Sequence, residues 1–193
     1  HPSDVLAAIF AVAEVARADG RSVIAAIAAA YEVYCGFCAA IDVNSQGWDQ
    51  PVYGVLASTL ACGKLLGLSR ERMGHAVALA VAPNMALHQA RRGELSHWKG
   101  CAAANGSRNA VFAALLARDG FTGPPAIFEG KAGLWDIVGK FDWPELRGSP
   151  DRICRTHIKC FPVNYHGQSA VWAALELRPQ VRIEDIVAIR VDG

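Results

Sequence analysis

The sequence predicts a mainly α protein, with an all-helical domain over residues 1–125 followed by a linker and the first part of a smaller α+β lid domain over 126–193. Three observations predict it. Apolar residues recur at helical spacing through the first two thirds of the chain. Ala and Gly crowd those segments, so that neighbouring helices can approach closely. After Pro125, Gly, Pro, Trp and β-branched residues become frequent. With 193 residues, 52% of them hydrophobic and 19% charged, the chain can bury a sizeable core.

Val5, Leu6, Ile9, Val12, Ala13 and Ala16 share one helical face, which predicts a first helix over 3–18 with Ser3 as its N-cap and Gly20 just past its end. A second helix covers 23–41. It is apolar enough to suggest a membrane span, but Glu32 interrupts it and Ala dominates its first half, so a buried helix is the preferred reading and no membrane partner is expected. Asn44-Ser45-Gln46-Gly47 reads as a loop, after which Asp49 or Pro51 opens a helix running to Leu66 and closed by Gly67. Ser69 caps a helix to Ala80, which Pro83-Asn84 ends. Ser96 caps a long helix over 97–118, terminated by Gly120 and Gly123-Pro124-Pro125. Along it Ala103, Gly106, Ala110, Ala113 and Ala117 make a seam of small side chains. Further on, β-branched content predicts strands over 152–161 and 183–191 with a helix over 165–177 between them. The last strand finds no partner after it, so the sheet is expected to be unfinished.

Lys and Arg total 19 against 18 Asp and Glu, a net charge of +1. No basic run is interleaved with aromatics, and Arg91-Arg92 is too short to substitute for one, which excludes nucleic acid as a partner. The chain has no Gly-rich phosphate loop, no HExxH pair and no nucleophile elbow, so neither an organic cofactor nor a catalytic metal is expected. Six cysteines are present, and Cys35-Gly36-Phe37-Cys38 has the local spacing of half a zinc site. With no second pair at matching spacing, Cys35 and Cys38 read as small buried hydrophobes on an Ala-rich helix, reduced in a cytoplasmic protein. The chain opens at His1-Pro2-Ser3-Asp4 with no initiator Met and no secretory leader, as a segment within a larger polypeptide would.

His1, Lys99 and His166 each fall where a helix is predicted to begin. The first N–H groups of a helix lack intrahelical partners and carry partial positive charge, so a basic side chain there makes a corner suited to carboxylate or phosphate. Lys99 in the first turn of 97–118 is either a solvated surface lysine or a carboxylate ligand. His166 follows a Pro turn, with Asn164 as cap, and is either a structural histidine or an acid–base group whose basicity the helix start lowers. Lys159 is delivered to the same turn by the preceding predicted strand. His1 lies near the first helix start and is equally consistent with a disordered terminus.

Several segments, in order, resemble one family: His1-Pro2-Ser3-Asp4; Gly47-Trp48-Asp49 leading to Leu65-Leu66-Gly67-Leu68-Ser69; Trp98-Lys99-Gly100 through Arg108-Asn109-Ala110-Val111-Phe112; Gly120-Phe121-Thr122-Gly123-Pro124; and Lys159 with Phe161-Pro162-Val163-Asn164-Tyr165-His166-Gly167-Gln168. Each is weak alone, but together they resemble the MmgE/PrpD family, which includes 2-methylcitrate dehydratase and cis-aconitate decarboxylase. The resemblance implies a helical domain with an α+β lid, usually a homodimer, with a cleft between the two domains that works without cofactors on a small polycarboxylate. It implies that His1 is the active-site histidine of the His-Pro-Ser segment, that Lys99 binds a substrate carboxylate, and that Lys159 and His166 come from the lid, with Asp49 as a further cleft residue. The dehydratase-like position of His166, where the decarboxylase branch has its histidine at the place of Asn164, favours dehydration of a 2-methylcitrate-like hydroxy-tricarboxylate. Alternatives are decarboxylation or epimerisation of a related polycarboxylate, or a catalytically incomplete fragment. The family's acidic segment before His-Pro-Ser and the remainder of its lid have no counterpart in this sequence.

Overall fold

Pro2 restricts the backbone at the start, and residues Pro2–Val5 form a 3₁₀ turn that runs directly into α1, Leu6–Val15. Ser3 does not cap it. The residue preceding the turn is His1, whose carbonyl accepts from Asp4 N at 2.9 Å, and the turn has no side-chain cap. Arg17 takes the left-handed conformation expected of a glycine, at φ 51°. Gly20, expected past the end of the first helix, instead opens α2, Gly20–Ala40, because Asp19 supplies a better cap: its carboxylate accepts from Ser22 N at 2.7 Å.

By length and composition α2 could cross a membrane. In this fold it buries Ala26, Ala30, Tyr34 and Phe37 in a shared core, and Glu32 on the same helix is paired with Arg152, the guanidinium Nε lying 3.2 Å from Oε2. Among the helices it packs chiefly on α3, Pro51–Leu65, which carries Pro in its first turn and is buried along almost its whole length. Gly67, at φ 67°, closes α3 as the sequence suggested. Ser69 caps α4, Arg70–Val81, accepting from Arg72 N at 3.3 Å.

The long α5, Trp98–Arg118, lies against α3 and α4 through Ala102, Gly106, Ala110, Ala113 and Ala117. This is the small-residue seam, with Ala102 in place of Ala103 at its N-terminal end. A Cβ on Gly106 would stand 3.5 Å from the Pro51 carbonyl oxygen, which shows how near the two helices come. Ser96 does not cap α5 with its side chain. Its backbone carbonyl accepts from Lys99 N at 3.2 Å, and the residue before the helix is His97, already helical.

The computed structural model describes residues 1–143 and 150–191, and they fall into two compact units, His1–Cys154 and Arg155–Gly193. The composition shift at Pro125 therefore lies inside the first unit. Phe141 and Trp143 stack beside Phe37, at 5.4 and 5.3 Å between ring centroids, and Trp135 on the short α6, Leu134–Val138, meets Phe141 edge-on at 6.0 Å. Burying these rings on α2 ties the segment to the helical core. Ile153 packs on the same cluster.

In the second unit a 3₁₀ turn, Tyr165–Gly167, leads into α7, Gln168–Leu177, close to the predicted helix. The two predicted strands do not form. Residues 152–161 contain a 3₁₀ turn, Arg152–Arg155, and irregular chain, while 183–191 begins in the 3₁₀ turn Ile183–Asp185 and continues without a ladder partner. β-Branched content suits a strand, but a strand is stable only beside a neighbour. Among the described residues the one β pairing is an isolated antiparallel bridge between Trp48 and Leu87, so the fold is mainly α.

Candidate functional site

One residue of that bridge, Leu87, lines a pocket of the first unit. After α2, Asp42 caps a 3₁₀ turn, Val43–Gln46, accepting from Asn44 N at 3.0 Å, and Gly47 turns the chain at φ 81°. Asp49 N then donates to Ala86 O and His88 N to Gly47 O, both at 2.8 Å. A second 3₁₀ turn, His88–Arg91, brings Arg91 round to Asp49. Arg91 Nε donates to Asp49 Oδ1 at 2.6 Å, and Gln50 N donates to the same oxygen at 2.9 Å.

Asp49 is 1% exposed. Its second oxygen, Oδ2, is buried and has no hydrogen-bond partner among the described residues. A buried carboxylate oxygen left this way is costly unless another group donates to it. Asp49 also lines a cavity of about 570 Å³ whose other walls include Met85, Leu87, Glu94, Trp98 and Asn105. Asn84, on the same wall, is held by its own donation to Ala80 O at 2.8 Å and by a hydrogen bond from Asn109 of α5.

The predicted site residues are placed as follows. Asp49 lines the cavity. Lys99 is the second residue of α5, exposed, directly after Trp98 on the cavity wall, and its ammonium has no partner among the described residues. His1 is exposed at the head of the first turn. Lys159 and His166 belong to the second unit, both exposed, on the irregular chain before α7 and in its leading 3₁₀ turn. Asn164 caps that turn as expected, accepting from His166 N at 3.0 Å, and the His166 ring meets Tyr165 edge-on at 5.5 Å.

Gln168 holds the loop between Lys159 and His166. Its carbonyl oxygen accepts from Cys160 N at 3.0 Å and Phe161 N at 3.1 Å, and its amide donates to Phe161 O at 2.9 Å and Val163 O at 3.3 Å. One side chain thus fixes the turn that separates the two basic residues.

Arg91 and Gln168 are the residues that sequence reasoning did not single out. Arg91 is 42 positions from Asp49, a separation that no local pattern encodes. The available signal was indirect, since a carboxylate buried at a helix start calls for a cation. The cysteines are all unpaired, and Cys38 is exposed rather than buried. Burial raises the thiol pKa of half-buried Cys35 above 9.0, which disfavours the thiolate that metal binding or nucleophilic attack requires.

Residues 1–146 match the family model described as MmgE/PrpD N-terminal domain. The chain is 30% identical over 221 residues to the 2-methylcitrate dehydratase of Cupriavidus necator, an alignment covering 99% of this chain and 44% of that protein. To the mitochondrial 2-methylcitrate dehydratase of Yarrowia lipolytica it is 29% identical, with coverage of 99% and 41%. It is 34% identical over 143 residues to the cis-aconitate decarboxylase-like protein oryM of Aspergillus oryzae, with coverage of 68% and 29%. The chain therefore spans less than half the length of these relatives. With the family model matched over most of the chain, this chain belongs to the MmgE/PrpD family.

Proposed function

We propose that this chain serves a lyase that dehydrates a 2-methylcitrate-like hydroxy-tricarboxylate without a cofactor. The observation that carries the reading is family membership over residues 1–146, in a unit where an orphaned buried carboxylate oxygen on Asp49 and a cavity of about 570 Å³ stand beside the start of α5. That helix start bears the uncompensated Lys99. A cation in a first turn is electrostatically disfavoured, and a ligand carboxylate relieves it.

In the proposed reaction a base takes the proton α to one carboxylate. The electron pair of that C–H bond becomes the new C=C bond, the C–O bond breaks, and an acid protonates the hydroxyl so that it leaves as water. Negative charge developing on the carboxylate during proton removal is stabilised by Lys99 and Lys159. His1 and His166 are the proposed base and acid, in either order. Proton transfer and fixed positive charge suffice for this chemistry.

Decarboxylation of a related polycarboxylate is the second reading, favoured by the similarity to the decarboxylase-like protein of Aspergillus oryzae. It passes through a similar carbanion and needs the same cations. We further propose a homodimer working in the cytoplasm.

Incubation with 2-methylcitrate, followed by ultraviolet absorbance of the new alkene and by carbon dioxide release, separates the readings. Alkene without carbon dioxide is the expected result. Carbon dioxide release supports the decarboxylase, and a well-folded chain that binds no polycarboxylate in calorimetry overturns both for this chain.

A further inference from the structure

The wall of the cavity beside α5 has an unusual charge balance for a polyanion site. Among the described residues lining it, the ionisable side chains are the two carboxylates of Asp49 and Glu94, and Asn84, Gln89, Ser96, Trp98 and Asn105 offer neutral polar groups. A ligand carboxylate entering here would face the carboxylate of Glu94 and find no lining cation among the described residues. A hydroxyl needs none.

Asp49 itself is divided between two tasks. Its Oδ1 is occupied by Arg91 Nε at 2.6 Å and by Gln50 N at 2.9 Å, while Oδ2 accepts from no described residue. The guanidinium is half-buried and balances the buried negative charge, so the pair as a whole contributes little net field to the cavity. What remains is a fixed, strong acceptor, buried at the cavity wall with no donor among the described residues, and a hydroxyl proton could satisfy it.

We propose that Asp49 Oδ2 accepts a hydrogen bond from the hydroxyl of a hydroxy-polycarboxylate held in this cavity, and that Arg91 is the positioning residue that holds Asp49 in place by occupying Oδ1. The assignment rests on the polycarboxylate reading above and deepens it. In this assignment the hydroxyl is the group read by the cavity, and Lys99, which follows Trp98 of the cavity wall in the sequence, is left to the ligand's carboxylates. A site built to bond a hydroxyl discriminates strongly against the analogue lacking it, because the buried acceptor is then left unpaired.

The test is calorimetric titration of the chain with citrate and with tricarballylate, which carries the same three carboxylates and no hydroxyl. Citrate binds more tightly by about tenfold or more. Asp49→Ala and Arg91→Ala each reduce this ratio towards one by weakening citrate, while tricarballylate affinity changes little. Arg91→Lys recovers part of the ratio. Equal affinity of the unaltered chain for the two acids overturns the hydroxyl assignment and leaves the polycarboxylate reading standing, whereas binding of neither acid overturns that reading and the assignment with it. A preference that survives Arg91→Ala, with only the melting temperature lowered, overturns the positioning role. Should Arg91→Ala fail to fold, the Arg91→Lys ratio decides the same point: partial retention supports the role, and an unchanged ratio overturns it.

Discussion

Gly123 is pressed against Ala78 of α4: a Cβ on the glycine would stand 2.7 Å from the Ala78 Cβ, 2.8 Å from the His75 carbonyl oxygen and 2.9 Å from Leu79 N. Two of these three neighbours are backbone atoms, which cannot swing aside. By contrast, a Cβ on Gly63 would meet the flexible Met73 side chain, at 2.6 Å from its sulfur.

Gly123→Ala is accordingly expected to destabilise the protein by about 2 kcal/mol through overpacking, and Gly63→Ala by less, since methionine repacks readily. Denaturant unfolding midpoints for the two variants check the ordering.

Arg152 meets Glu32 twice, its backbone N donating to Oε1 at 2.7 Å and its Nε lying 3.2 Å from Oε2. Arg152→Ala leaves a mostly buried carboxylate without its cation and is expected to cost about 2 kcal/mol, below the fully buried range because the arginine keeps some contact with water. The double variant with Glu32→Gln should recover part of the loss in the same unfolding assay.

Burial pushes the Cys62 thiol from 9.0 up to about 12 and the Tyr53 hydroxyl from 10.0 up to about 12. In both, the folded state favours the neutral form, so their contribution to stability is complete below the unfolded value and is lost as pH rises towards the folded one. Melting temperature should fall between about pH 9 and pH 12, and Cys62→Ala should flatten the lower part of that decline.

Lys99 is exposed, with an ammonium that has no protein partner among the described residues. Lys99→Ala should therefore leave the melting temperature nearly unchanged while weakening citrate binding about tenfold, as expected for loss of one charge-assisted contact. Unchanged affinity would remove Lys99 from the proposed site.

Gln168→Ala removes four hydrogen bonds that hold residues 160–163. Faster amide hydrogen exchange at Cys160 and Phe161 is the expected result, with the helical unit unaffected.

Much of the helical layer was legible in the sequence. Ser69, Pro51, Gly67 and Asn164 act where their local chemistry placed them, and the small-residue seam of α5 faces its neighbours. Where local reading failed, two or more residues competed for one role. Asp19 displaced Gly20 because its carboxylate caps α2 through Ser22 N, and Arg17 took the left-handed turn in place of a glycine.

The sequence by itself determined the mainly α class, the helix periods and the position of Lys99 in the first turn of α5, with His166 in the 3₁₀ turn that leads into α7, because these depend on residues within one or two turns of each other. Only the tertiary structure decided that residues 126–143 belong to the helical core, that the two predicted strands stay unpaired, and that Arg91 finds Asp49. Each of those outcomes depends on which distant segment arrives alongside: an aromatic ring needs a surface to cover it, a strand needs a neighbour, and a buried carboxylate needs a cation.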